Sequence, residues 1–180
     1  MSTKTQSTHT ARTLNGPRRK VGLRATRIDL PPDVRMAMVA LLNARLADAT
    51  DYALSIKQAH WNVRGLEFIS LHQMLDEMFS ETVEYADLMA ERAVILGGQA
   101  RGTLQSAAEG TTLTPFPTES SAVMELLHAL AVNLGRLAKS IRAAADQATN
   151  EDDLGTADLF TEVSRGLDKQ LWYLEAHLAG

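Results

Sequence analysis

His72, Asp76, Asp87 and Glu91 are imidazole and carboxylate side chains spaced for metal chemistry on a single helix. Residues three or four apart share a helical face, so His72 sits beside Asp76, and Asp87 beside Glu91. The eleven residues from Asp76 to Asp87 make almost three whole turns, which puts all four on one stripe. At about 1.5 Å of rise per residue the two pairs stand roughly 16 Å apart. Ligands about 2 Å from a common metal cannot be so distant from each other, so one chain does not close the site alone. Packed antiparallel against a symmetry copy, with the two-fold axis between Glu81 and Thr82, residue i of this helix faces residue 163 − i. His72 then faces Glu91, and Asp76 faces Asp87. The plain alternative is a solvated charged face. Against it, Phe79, Val83 and Val94 lie on or beside the stripe, and residues 65–91 hold seven acids with no Lys or Arg. Like charges at helical spacing repel, and nothing within the segment neutralises them; a bound cation does.

These residues need a frame of helices. Pro31 and Pro32 suit a helix start, where a missing N–H costs nothing, and Val34, Met38, Leu41, Leu42, Ala49, Tyr52, Ala53, Ile56 and His60 recur at helical spacing. This predicts a first helix over 32–63 with His60 on its buried side. Gly65 breaks the chain, a second helix runs over about 66–96, and Gly97-Gly98 ends it. A crossover of about twenty residues follows, long for a compact domain, with a short helix near 103–109 and a turn at Pro115-Phe116-Pro117. A third helix is expected from Glu119 or Ser120 to about 149, and a fourth after the acidic connector 150–153. The expected fold is all-α, a four-helix bundle with one long crossover carrying a short helix, the ferritin-like arrangement, over residues 29–180.

Composition agrees with that frame and limits the chemistry. The 180 residues suit one domain, and they include no cysteine, which excludes disulfides, thiolate metal sites and cysteine nucleophiles. Any metal is held by His and carboxylate. The apolar run 36–42 is far short of the roughly 20 residues that span a bilayer, and the first twenty residues lack a signal-peptide core, so a soluble cytoplasmic protein is expected. A bundle with its di-iron site inside one chain takes a Glu-x-x-His motif from each of two helices. Only Glu125-x-x-His128 is present, and it reads as surface. Met74, Met78 and Met89 read as packing, and His9 and His177 as exposed.

The net charge of −4 hides an asymmetry. Residues 1–28 carry Lys4, Arg12, Arg18, Arg19, Lys20, Arg24 and Arg27 and no acid. With almost no periodic apolar residue, this basic segment is expected to be a flexible tail. Such a tail would neutralise phosphates without reading sequence; a solubilising tail is the alternative. No aromatic is present for base stacking.

The segments Lys57-Gln58-Ala59-His60-Trp61-Asn62-Val63-Arg64-Gly65, His72-Gln73-Met74-Leu75-Asp76, Asp87-Leu88-Met89-Ala90-Glu91-Arg92-Ala93 and Ser164-Arg165-Gly166-Leu167-Asp168-Lys169-Gln170-Leu171-Trp172 resemble the signature of the Dps family, the DNA-binding proteins from starved cells. The resemblance spans about residues 30–178. It implies a hollow shell of twelve subunits with a ferroxidase centre at each two-fold interface. His60, His72 and Asp76 would come from one subunit, and Asp87 and Glu91 from its neighbour. The implied reaction oxidises two iron(II) ions with one hydrogen peroxide and stores iron(III) mineral inside the shell. Two imidazoles and three carboxylates suit iron, though zinc, cobalt or manganese also fit. Trp61, next to His60, is a candidate electron donor that quenches stray oxidant, with interface packing as the alternative. The family lines a three-fold iron-entry channel with acids, for which Asp152, Asp153 and Asp158 are the nearest candidates; acids near a helix N-terminus explain the same residues. The resemblance also implies sequence-independent binding of double-stranded DNA through the basic tail, and hence a nucleoid-associated protein. The rival reading is a DNA-compacting structural shell with a weak or inactive metal site.

Overall fold

The structure, a computed structural model, describes residues 22–179. Five helices form and no strand is present among the described residues: α1 Pro32–Asn62, α2 Phe68–Ile95, α3 Leu104–Gly110, α4 Val123–Asn150 and α5 Leu154–Leu178. Pro32 opens α1 as the fixed proline φ allows. A tight turn at Gly65, whose φ is +114°, reverses the chain into α2. These two helices lie against each other as one hairpin and α4 and α5 as a second, with α1 packed on α4 to join them. The apolar faces meet in a core of Met38, Leu42, Tyr52 and Ile56 from α1, Leu71, Leu75, Met78 and Met89 from α2, and Leu130, Leu134, Phe160 and Leu167 from the second hairpin. Met78 and Met89 are therefore packing residues, as their spacing suggests, and Met74 lies against the same core.

The helix ends follow local hydrogen-bond demands. At the end of α2, Gly98 N–H donates to the Ala93 carbonyl and Gly97 N–H to that of Val94, with Gly97 at φ +88°. This pairing satisfies the carbonyls that the last turn leaves open. The same pairing ends α4, where Asp153 N–H donates to Ala148 and Asp152 N–H to Thr149, and Asp152 holds the left-handed position at φ +57°. The start of α4 differs from the expected 119 or 120. Ser120 Oγ accepts from Ala122 N–H and donates to Glu125, closing a local turn, and the helix begins at Val123.

The long crossover is fixed by side chains of the bundle. Buried Asp48 accepts from Thr112 N–H at 2.7 Å while pairing with Arg45, and Asp51 accepts from Thr111 Oγ1. Buried Asn133 clamps Thr114 on both sides, accepting from its N–H at 3.0 Å and donating to its carbonyl at 2.8 Å. Two buried hydrogen bonds at about 1 kcal/mol each make Asn133→Ala cost about 2 kcal/mol. Urea denaturation checks this, and a loss near zero would show that the crossover is held elsewhere.

Among the described residues no helix is long and apolar enough to cross a membrane. The basic segment enters the structure only at its end. Lys4, Arg12, Arg18, Arg19 and Lys20 lie outside the described residues. Arg24 is docked on the body: its N–H donates to the Gly97 carbonyl at 2.7 Å and its guanidinium to that of Val94 at 2.9 Å. A cation suits a helix C-terminus, and the close approach needs glycine, since a Cβ on Gly97 would lie 2.6 Å from the Arg24 carbonyl. Arg27 is exposed.

Candidate metal centre

α1 and α2 bring His60, His72 and Asp76 together near the turn end of their hairpin, either side of Gly65. The three offer ligand atoms within 4.8 Å of one another. His60 is 5% exposed, His72 is half-buried and Asp76 is exposed. The imidazoles stack with centroids 3.6 Å apart. Each is oriented by the other's backbone: His60 Nδ1 lies 2.9 Å from the His72 carbonyl oxygen, and His72 Nδ1 lies 3.1 Å from that of His60. A carbonyl only accepts, so both Nδ1 atoms carry the proton and both Nε2 lone pairs are left for a metal. Backbone carbonyls serve metal-binding histidines elsewhere in the same way, fixing tautomer and ring direction.

Lys57 completes this half of the site, although the sequence pattern does not mark it as part of one. Its ammonium donates to Asp76 Oδ1 and lies 4.9 Å from the centre of the Phe79 ring. The hydrogen bond from Lys57, then the nearby His60, hold the Asp76 carboxyl below the usual carboxylate range. Lys57 is one turn before His60 on α1, and the sequence signals it only by that spacing and by its place at the head of the His60 segment. The acidic face is thus less bare than its own sequence implies, because cations arrive from other helices. Lys57 pairs with Asp76, and Lys169 of α5 with Glu81 at 3.2 Å. Among the described residues no such pair forms at Glu77, Glu84, Asp87 or Glu91.

Asp87 and Glu91 are exposed on the same stripe of α2, and one chain does not bring them to the triad. Trp61 follows His60 and is 68% exposed. The three channel candidates separate. Asp153 is 2% exposed; it caps α5 by accepting from Thr156 N–H at 3.0 Å and forms an ion pair with Arg92 at 2.6 Å. Those bonds occupy it structurally, whereas Asp152 and Asp158 are exposed. Glu125 and His128 are both exposed, as read from the sequence, while His177 is half-buried with Nδ1 on the Tyr173 carbonyl. His9 lies outside the described residues.

Comparison with known proteins agrees with this fold. A family model described as a ferritin-like domain matches residues 39–180. The DNA protection during starvation protein of Agrobacterium fabrum is 42% identical over 153 residues, 85% of this chain and 94% of that protein. Among solved structures, DpsC from Streptomyces coelicolor superposes with a TM-score of 0.84 at 32% identity, covering 87% of this chain and 91% of that one. Dps from Microbacterium arborescens in the high iron form gives 0.78 at 33% identity, covering 83% and 97%. With its helix order and these matches, the chain belongs to the ferritin-like proteins, in the Dps family.

Proposed function

We propose that the protein is an iron-storing ferroxidase that oxidises iron(II) with hydrogen peroxide at sites shared between two subunits of a twelve-subunit shell. The observation that carries this is the His60–His72–Asp76 half-site with both Nε2 atoms free, whose α2 members share their helix with Asp87 and Glu91 in mirrored register. Iron(II) is the substrate and the mineral its stored product. His60, His72 and Asp76 of one copy and Asp87 and Glu91 of another hold the two ions. Each gives up one electron, the O–O bond of peroxide breaks, and its oxygens leave as water after taking up protons. Carboxylates favour iron(III) over iron(II), which draws the oxidation forward. Iron(III) then hydrolyses to oxyhydroxide and releases protons. Trp61, adjoining His60 in sequence and exposed, is the candidate donor of an electron to stray oxidant, with interface packing as its alternative, and exposed Asp152 and Asp158 are the remaining candidates for a cation entry route. A sizing measurement with iron(II) and peroxide titration tests the reading. An assembled shell consuming two iron(II) per peroxide is expected; monomer, or one iron per peroxide, would reject it.

The basic tail gives the second activity, sequence-independent binding of double-stranded DNA. The Agrobacterium relative's name, DNA protection during starvation protein, supports it. Cytoplasmic, nucleoid-associated localisation follows from that partner.

One observation favours the alternative of a structural shell with a weak metal site: Lys57 already places a cation on Asp76. If the ammonium competes with the metal, Lys57→Gln raises the affinity for zinc(II), a redox-silent probe, about tenfold, or about 1.4 kcal/mol. Calorimetric titration reads this directly, and unchanged affinity shows that Lys57 moves aside at no cost.

A further inference from the structure

The described α2 stripe carries apolar residues that one chain leaves uncovered, and they obey the same mirror rule as the ligands. Ile69 is 63% exposed and Val94 40%, although each has an apolar side chain on a helix that buries others completely. Ile69 is three residues before His72 and Val94 three after Glu91, so each extends the stripe by one turn beyond a ligand. In the register where residue i faces 163 − i, Ile69 meets the partner's Val94 and Phe68 meets the partner's Ile95. The receiving surface is a shallow, open depression. Ala90, Glu91, Val94, Ile95 and Ala100 line a hollow of about 360 Å³. On the donating side the Phe68 ring leans on His72 with centroids 5.0 Å apart. The side of the triad nearer the two-fold axis is different in kind, a hollow of about 610 Å³ lined by Lys57, Asp76, Glu77, Phe79, Ser80 and Glu81.

We propose that Phe68 and Ile69 of one copy seat in the partner's Ala90–Val94–Ile95–Ala100 hollow, an apolar clasp that closes the side of the metal centre away from the two-fold axis. The inference rests on the two-copy reading above and adds an occupant and a direction to it. Apolar surface is removed from water on the far side of the ligands, so cations and peroxide approach from the acidic axial side. The occupant is a second copy because the hollow and the plug lie on the continuation of the same self-complementary stripe, as an isologous interface requires.

The absence of cysteine makes a clean test. An Ile69→Cys/Val94→Cys double variant, mildly oxidised, is expected to give at least tenfold more disulfide-linked dimer on a non-reducing gel than either single variant. A second pair, Ser80→Cys/Val83→Cys, obeys the same rule near the axis and reports the register without the clasp. Linkage of the axial pair alone overturns the clasp and leaves the shared centre standing; linkage of neither overturns both. Closure is read separately with zinc(II) bound at the centre. Ile69→Ser is expected to speed its removal by a chelator at least fivefold, and an unchanged rate overturns the closure.

Discussion

Replacing His72 and Asp76 together by alanine is expected to lower peroxide-driven iron(II) oxidation at least about 100-fold, given that even the supporting partners of metal ligands are worth 10–100-fold. Asp87→Ala/Glu91→Ala is expected to do the same, although these residues stand roughly 16 Å along the helix from the first pair. Equal losses from such distant pairs would be hard to explain within one chain. The stronger expectation concerns a mixture. When the two inactive double variants are unfolded together, refolded and allowed to pair at random, half of the dimers are mixed. Each mixed dimer has one centre with every ligand intact and one that keeps only His60. Activity is therefore expected to return to roughly a quarter of the wild-type value, the statistical result for a two-fold interface. A mixture as inactive as its parents would mean that each chain works alone. Neither variant touches the core: His72 is half-buried, and Asp76, Asp87 and Glu91 are exposed. Helicity and sizing profile should stay constant and separate lost chemistry from lost fold.

Much of this is legible in the residues themselves. Apolar spacing locates α1 and α2 within about two residues, and the glycines at 65 and 97 mark their ends, because backbone demands at those points are local. The ligand stripe is legible for the same reason: a helix converts sequence spacing into direction. What the sequence hides depends on packing between elements. Neither Lys57 on Asp76 nor Lys169 on Glu81 is visible within the acidic helix, since the cations arrive from α1 and α5. Asp153 reads in sequence as a channel candidate or an acid at a helix N-terminus; the structure makes it the cap of α5, and its ion pair with Arg92 of α2 is the part no local pattern shows. Arg24 reads as one more tail charge, yet a tight glycine turn seventy-odd residues away receives it. The start of α4 falls a few residues later than expected because Ser120 spends its hydroxyl on a turn rather than on a helix cap.

The docking of Arg24 also decides how the tail must be cut. Deleting residues 1–28 would remove the charges proposed to bind DNA and, with them, the strap that holds the C-terminal end of α2 near Glu91. Deleting residues 1–21 leaves Arg24 and Arg27 in place and removes the five positive charges of Lys4, Arg12, Arg18, Arg19 and Lys20, taking the net charge from −4 to −9. Affinity for duplex DNA is then expected to collapse, because an acidic body repels phosphate and each phosphate that is no longer neutralised keeps roughly one counterion that binding would have released. Before truncation the logarithm of affinity should fall steeply with that of salt. Afterwards the slope should flatten by about 0.9 for each phosphate left unpaired by the cut. Gel retardation across a salt series measures both quantities. Iron oxidation should be unchanged by this cut, in contrast to the ligand variants, which should retain full DNA binding. A truncated shell that still retards DNA at the original salt slope would place the DNA-binding surface on the body, where Arg27 is the exposed remnant of the basic segment. If instead truncation slowed iron oxidation, the two activities would be coupled through Arg24 and the end of α2 and would not be independent modules.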